Sequence, residues 1–121
     1  MGAPHRVQVR RVYDDAQPGD GARVLVDRIW PRGLSKEEAR VDEWLRELGP
    51  STELRKWFGH DPAKWKQFEQ RYWKELNARA EAVALLRQKI KQGTVTLVYA
   101  AHDEEHNGAL ALKEFLEHGK G

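Results

Sequence analysis

The sequence predicts a small α/β fold: a mostly parallel open sheet of two central strands and an edge strand, packed with about four to five helices. Three observations point there. Val24-Leu25-Val26 and the run Val95 to Tyr99 leave little polar surface, as strands buried on both faces do. Helical patterns separate these two runs, so they pair as parallel neighbours through a right-handed crossover. With 121 residues the chain fits one domain, 1–121, whose core needs no staples.

The elements follow in order. His5 to Tyr13 alternates Val7 and Val9 with Arg6, Gln8 and Arg10, the period of a half-exposed strand. Asp14 to Ala22 is a turn region with Pro18-Gly19 and Asp20-Gly21. Arg23 to Trp30 is a strand. The link between the first two strands is short for a parallel crossover, so local physics favours an antiparallel pair there.

Ser35 opens a helix as a capping box with Glu38. Val41, Trp44, Leu45 and Leu48 continue it at helical spacing, and Gly49-Pro50 stops it. Ser51 caps a short helix with Leu54, Trp57 and Phe58 on one stripe, ended by Gly59. Asp61-Pro62 starts a third, with Trp65, Phe68, Tyr72 and Leu76 inward.

That pattern runs on through Val83, Leu86 and Ile90 to Gly93. A single helix from Pro62 to Gln92 would span about 45 Å, too long for a domain with a radius of gyration of ~14 Å. A break is therefore expected near Asn77 to Arg79. Thr94 to Ala101 is the second central strand, and Asn107 caps a last helix ended at Gly119.

Composition narrows the function classes. With no cysteine there is no disulfide framework, thiol nucleophile or thiolate zinc site. No segment approaches the ~20 apolar residues that span a bilayer, and Met1 to Gln8 has no apolar run. A cytoplasmic protein with no membrane partner is the expectation. A net charge of +2 is far below what sequence-independent nucleic-acid binding usually shows. Arginine dominates the early half, and its planar fork suits carboxylate or phosphate.

Ligands of open parallel sheets sit beyond the carboxyl ends of the strands. Tyr13-Asp14, Asp27 to Gly33 and Tyr99 to Asp103 reach that rim. Adjacent charges at Asp27 and Arg28 after an apolar strand must be paired or at the edge of the core. With Trp30, Arg32 and the helix start at Ser35 they form an anion cradle; the competing reading is a salt bridge tying sheet to helices.

A second constellation, Leu54 to Pro62 with Trp65, Phe68, Arg71, Tyr72 and Trp73, interleaves basic and aromatic residues. Its helical spacing assigns most of the aromatics to the core. His60 lies between a helix stop and a cap. His102 to His106 carries two histidines four apart, but the second residue is Asp and no third ligand follows. A solvated turn is the simpler reading, and Asp103 is the better site candidate. There is no glycine-rich phosphate loop, and Ser35 and Ser51 are caps.

The stretches VDRIWPRGLSK (26–36), PSTELRKWFGHDP (50–62), WKQFEQRYWKEL (65–76) and VTLVYAAHDEEHNGALALKEFL (95–116) resemble the YeaO-like proteins. These belong to the broad uncharacterised family "domain of unknown function 488". The resemblance spans nearly the whole chain and implies the fold and a complete chain, without an activity. A longer branch of the family carries Cys and a Cys-His-Arg run where this chain has Tyr99 and Asn107-Gly108-Ala109, so thiol chemistry does not carry over. That branch also has a helix between its first two strands, which implies parallel pairing and leaves the direction of the first strand open.

The leading expectation is an enzyme-like or binding pocket for a small phosphate- or carboxylate-bearing molecule at the strand rim. Arg28 and Arg32 would hold the anion and Trp30 would wall the pocket. Tyr13 and Tyr99 would add polar contacts, and Asp27 or Asp103 would act as acid or base. The residues name no cofactor and no metal site. The alternative is a nucleic-acid-binding or regulatory module using Arg6, Arg10, Arg11, Arg55, Lys56, Lys64 and Arg71. A third is metal binding at His60, His102 and His106.

Overall fold

Four parallel strands in the order β1-β4-β2-β3 form the sheet. The structure is a computed structural model that describes residues 7–118. The expected strand start at His5, Arg6 and the helix stop at Gly119 lie outside the described residues.

Strand β1 (Val7–Arg11) pairs with β4 (Val95–Tyr99), and β4 pairs on its other side with β2 (Ala22–Leu25). The two apolar runs are therefore the parallel central pair, as their burial predicts. The antiparallel option for the first two strands fails because they never touch: β4 lies between them. Segment 12–21 crosses back over one face of β4, shaped by a 3-10 turn at Pro18–Asp20 instead of a helix. It is pinned there by Thr96 Oγ1 donating to the Asp20 carbonyl at 2.7 Å and Gln8 Nε2 donating to that of Gly19 at 2.9 Å.

The helix expected from Ser35 to Leu48 is a correction. The capping box forms as predicted, but α1 covers only Lys36–Ala39 and ends where Arg40 turns left-handed at φ 53°. The chain then extends into a short fourth strand, β3 (Glu43–Trp44), paired to β2. The reason is that this segment serves both faces of the sheet. Trp44 packs with Leu25, Val98 and Ala39 on one face, while Leu45 packs with the main core on the other. Neighbours pointing to opposite faces are what a strand supplies and a helix does not.

Helices α2 (Thr52–Phe58), α3 (Trp65–Asn77), α4 (Ala80–Gln92) and α5 (Gly108–His118) bury the face carrying Val24, Val26, Val95 and Leu97. The break expected near Asn77 to Arg79 falls between α3 and α4. Ser51 and Asn107 cap as predicted, accepting from the Leu54 and Leu110 N–H groups at 3.1 and 2.8 Å.

Across the packed α3 and α5, the half-buried Glu69 carboxyl faces that of Glu114. Burial, then the hydrogen bond and charge of Glu114, push the Glu69 carboxyl up to about 7 against the pull of Lys66. A folded-state pKa above the unfolded value gives stabilisation that is complete below the unfolded pKa and lost as pH rises through the folded one. The thermal midpoint is therefore expected to fall from roughly pH 4.5 to pH 7. Glu69→Gln should flatten that slope in melts across the window; an unchanged slope would show that Glu69 does not set it.

Candidate functional site

The last ladder bond of β2's extension, Val26 N–H to the Val98 carbonyl at 3.3 Å, leaves Asp27 just beyond the sheet. Its Oδ2 accepts from the Ala100 N–H at 2.9 Å, stitching the ends of the two central strands together. Its backbone carbonyl accepts from Trp44 Nε1 at 2.7 Å. Burial pushes the Asp27 carboxyl above its ordinary value, although the Ala100 N–H and the charge of Arg55 pull it down.

Arg28 turns its Nε to the Gly49 and Pro50 carbonyls at 3.0 and 3.1 Å, while its Nη2 is buried with no protein acceptor. This close approach explains Gly49. A Cβ there would lie 2.7 Å from Arg28 N and 2.8 Å from its Cγ. The turn after β2 closes on itself, with Trp30 Nε1 donating to the Leu34 carbonyl at 2.7 Å and Gly33 at φ 82°. Trp30 also meets Trp44 edge-on at 5.4 Å. Tyr13 OH donates to the Arg32 carbonyl at 2.9 Å, tying the end of β1 to the same turn.

Between these groups and the helices lies a cleft of about 430 Å³, within the range of small-molecule sites. Arg28, Arg32, Arg55 and Lys56 line it against one carboxylate, Asp27, with His60 and His106 also in the wall. Pro50, Phe58, Phe68 and Trp30 supply apolar surface, and Asn107 and Gly108 bring the start of α5 to the edge. Of the three large apolar side chains exposed among the described residues, Ile29 at 61% and Tyr13 at 40% sit on this rim.

Five residues singled out from the sequence thus share one wall: Tyr13, Asp27, Arg28, Trp30 and Arg32. Tyr99 does not; it turns into the helix-covered core, where burial and then the charge of Glu104 raise its hydroxyl. Asp103 is not in the wall either. Its carboxylate accepts from the Glu105 and His106 N–H groups at 2.9 and 3.0 Å and meets His106 Nδ1 at 3.0 Å. The wall residues that sequence reasoning assigned elsewhere are Arg55, Lys56, His60 and His106. Their signal was the interrupted run RKWFGHDP, whose Gly59 and His60 both adopt positive φ and turn the chain at the cleft.

Among the described residues, no three His, Asp or Glu side chains gather as a metal site would require. Several cations of the nucleic-acid alternative are committed within the molecule. Arg10 faces Asp20, Arg11 holds the Ala100 and Ala101 carbonyls, and Arg71 covers the Trp57 ring. No helix among the described residues is long and apolar enough to cross a membrane.

A parallel α/β sheet with a cationic cleft beyond its strand ends is the class that fold and site define. The profile of the family described as "Inactive DUF488-N3 subclade" matches residues 6–120. The chain belongs to that family. It is 44% identical over 111 residues to an uncharacterised protein of Mycobacterium tuberculosis, covering 92% of this chain and 93% of that one. It is 41% identical over 110 residues to the uncharacterised protein YeaO of Escherichia coli, covering 91% of this chain and 96% of YeaO. No solved structure is significantly similar to the chain.

Proposed function

We propose that the rim cleft binds a small anionic, phosphate- or carboxylate-bearing molecule in the cytoplasm. The observation that carries this reading is electrostatic: four Arg and Lys side chains line the cleft against the single carboxylate of Asp27. Low-dielectric walls concentrate such a field on a ligand. The buried Nη2 of Arg28 adds a donor in want of an acceptor. Trp30 and Phe58 give the ligand's body apolar surface, and Asp27 accepts a hydrogen bond from its hydroxyl or amino group. The family's description as an inactive subclade favours binding over turnover.

The test is thermal stability against a panel of nucleotides, sugar phosphates and carboxylates. A true ligand at a hundredfold excess over its Kd stabilises by about 2.7 kcal/mol, a shift of several degrees for a chain this size. Arg32→Ala and Arg55→Ala should each reduce that shift. No shift with any compound, or the same shift in both variants, removes the reading.

A further inference from the structure

His106, whose spacing from His102 matches a metal motif in the sequence, lies in the cleft wall. Two contacts fix its ring. Nδ1 meets Asp103 Oδ2 at 3.0 Å, and its ring stands nearly perpendicular to the ring of Trp65, 79° between planes and 5.3 Å between centroids. Asp103 is itself anchored: the Glu105 and His106 N–H groups hold its carboxylate, and Asn107 Nδ2 donates to its carbonyl at 3.0 Å. The ring is half-buried, and its Nε2 makes no hydrogen bond to any described residue.

We propose that His106, oriented by Asp103, is a direct contact for the ligand's anionic group, and that this group is a phosphate rather than a carboxylate. The proposal rests on the reading of the cleft as an anion site. Asp103 holds Nδ1, which leaves Nε2 as the ring's free contact for the ligand. A second proton makes the imidazolium, whose charge Asp103 offsets and whose Nε2–H donates to the ligand.

The choice of phosphate follows from charge and backbone. Arg28, Arg32, Arg55, Lys56 and the imidazolium outnumber Asp27 by enough to hold a dianion. Gly108 opens α5 beside the ring; Asn107 caps the Leu110 N–H, and the N–H of Gly108, at the cleft edge, has no intrahelical acceptor and suits a phosphate oxygen. The titratable and charged groups sharing the cleft with the ring are Asp27, Arg28 and Arg32 after β2, Arg55 and Lys56 on α2, and His60 after it. Asp103, Glu104 and Glu105 are the acids on its own loop.

The experiment titrates the full chain with inorganic phosphate, a nucleoside monophosphate, acetate and benzoate, following backbone amides and the imidazole nitrogens by NMR. Either phosphate probe should shift the amides around Asp27 and Gly108. The ring nitrogens of His106 should shift along with them, Nε2 more than the Asp103-held Nδ1. His106→Gln should weaken phosphate binding by about tenfold or more. Asp103→Asn should weaken it in the native background but not further in the His106→Gln background, which a merely structural loop would not show.

If phosphate shifts the cleft amides but His106→Gln binds like wild type, or the ring nitrogens do not change, the assignment of His106 is wrong while the anion site stands. If the carboxylates bind as tightly as phosphate, the phosphate class is wrong. If no anion shifts the cleft at all, the functional reading falls with it. Should His106→Gln fail to fold, the ring-nitrogen spectra of the wild type decide alone.

Discussion

Gly21→Ala is expected to remove about 3–5 kcal/mol of stability, a large part of the 5–15 kcal/mol that holds a typical domain together. Gly21 enters β2 at φ 64° and ψ −139°, a backbone region that side-chain-bearing residues avoid. A Cβ there would also fall 2.1 Å from the Thr94 carbonyl oxygen and 2.7 Å from its carbon. Backbone cannot yield as a flexible side chain does. Relief would mean moving the entry to β2 and losing the bond from Ala22 N–H to that same carbonyl, 3.0 Å. The melting temperature should drop on the order of 10 °C or more in circular-dichroism melts. Gly19 is the control: nothing lies within 4 Å of a Cβ built on it, and its φ is not positive. Equal losses from Gly19→Ala and Gly21→Ala would show that the close approach is not the cause.

The parts of the fold legible in the sequence were those decided locally. Ser35, Ser51 and Asn107 carry their cap chemistry with them, and the apolar runs at Val24 and Val95 announce strands wherever they pair. The α3–α4 break followed from length alone. What the sequence concealed was decided by partners distant in the chain. β4 sits between β1 and β2, which makes a short link compatible with parallel strands, and no local feature of residues 12–21 says so. Val41 to Leu48 has helical spacing, but Trp44 and Leu45 must reach opposite faces, and the sheet edge prevails over propensity.

The site divided in the same way. Tyr13, Asp27, Arg28, Trp30 and Arg32 share the cleft wall because rim positions follow strand ends. Arg55, Lys56 and His106 reach the cleft through helix packing, which periodicity does not locate. Strand alternation turns Tyr99 inward, so the backbone of Ala100 reaches Asp27 at the cleft instead.

Asp20→Ala is expected to cost about 3–5 kcal/mol, because it strands a buried arginine. Arg23 is 3% exposed and Asp20 2%, so the ion pair between Arg23 Nη1 and Asp20 Oδ2 at 2.9 Å is shut off from water. Arg23 keeps the Arg40 and Ala39 carbonyls at 3.0 and 3.1 Å, but carbonyls do not balance a full charge. Arg23→Met together with Asp20→Ala should therefore cost less than the sum of the two single changes; strict additivity in urea unfolding would rule out a dominant pair. The pH dependence has a defined sign. Burial alone would raise the Asp20 carboxyl, but the Gln17 N–H, Arg23 and Arg10 together hold it below the ordinary value. A depressed folded-state pKa contributes stability that is complete above the unfolded value and lost as pH falls through the folded one. The wild type should thus lose stability steeply below roughly pH 4, and Asp20→Asn, already weakened at neutral pH, should lose less over the same interval. An acid limb as steep in Asp20→Asn as in the wild type would mean that other carboxylates set it.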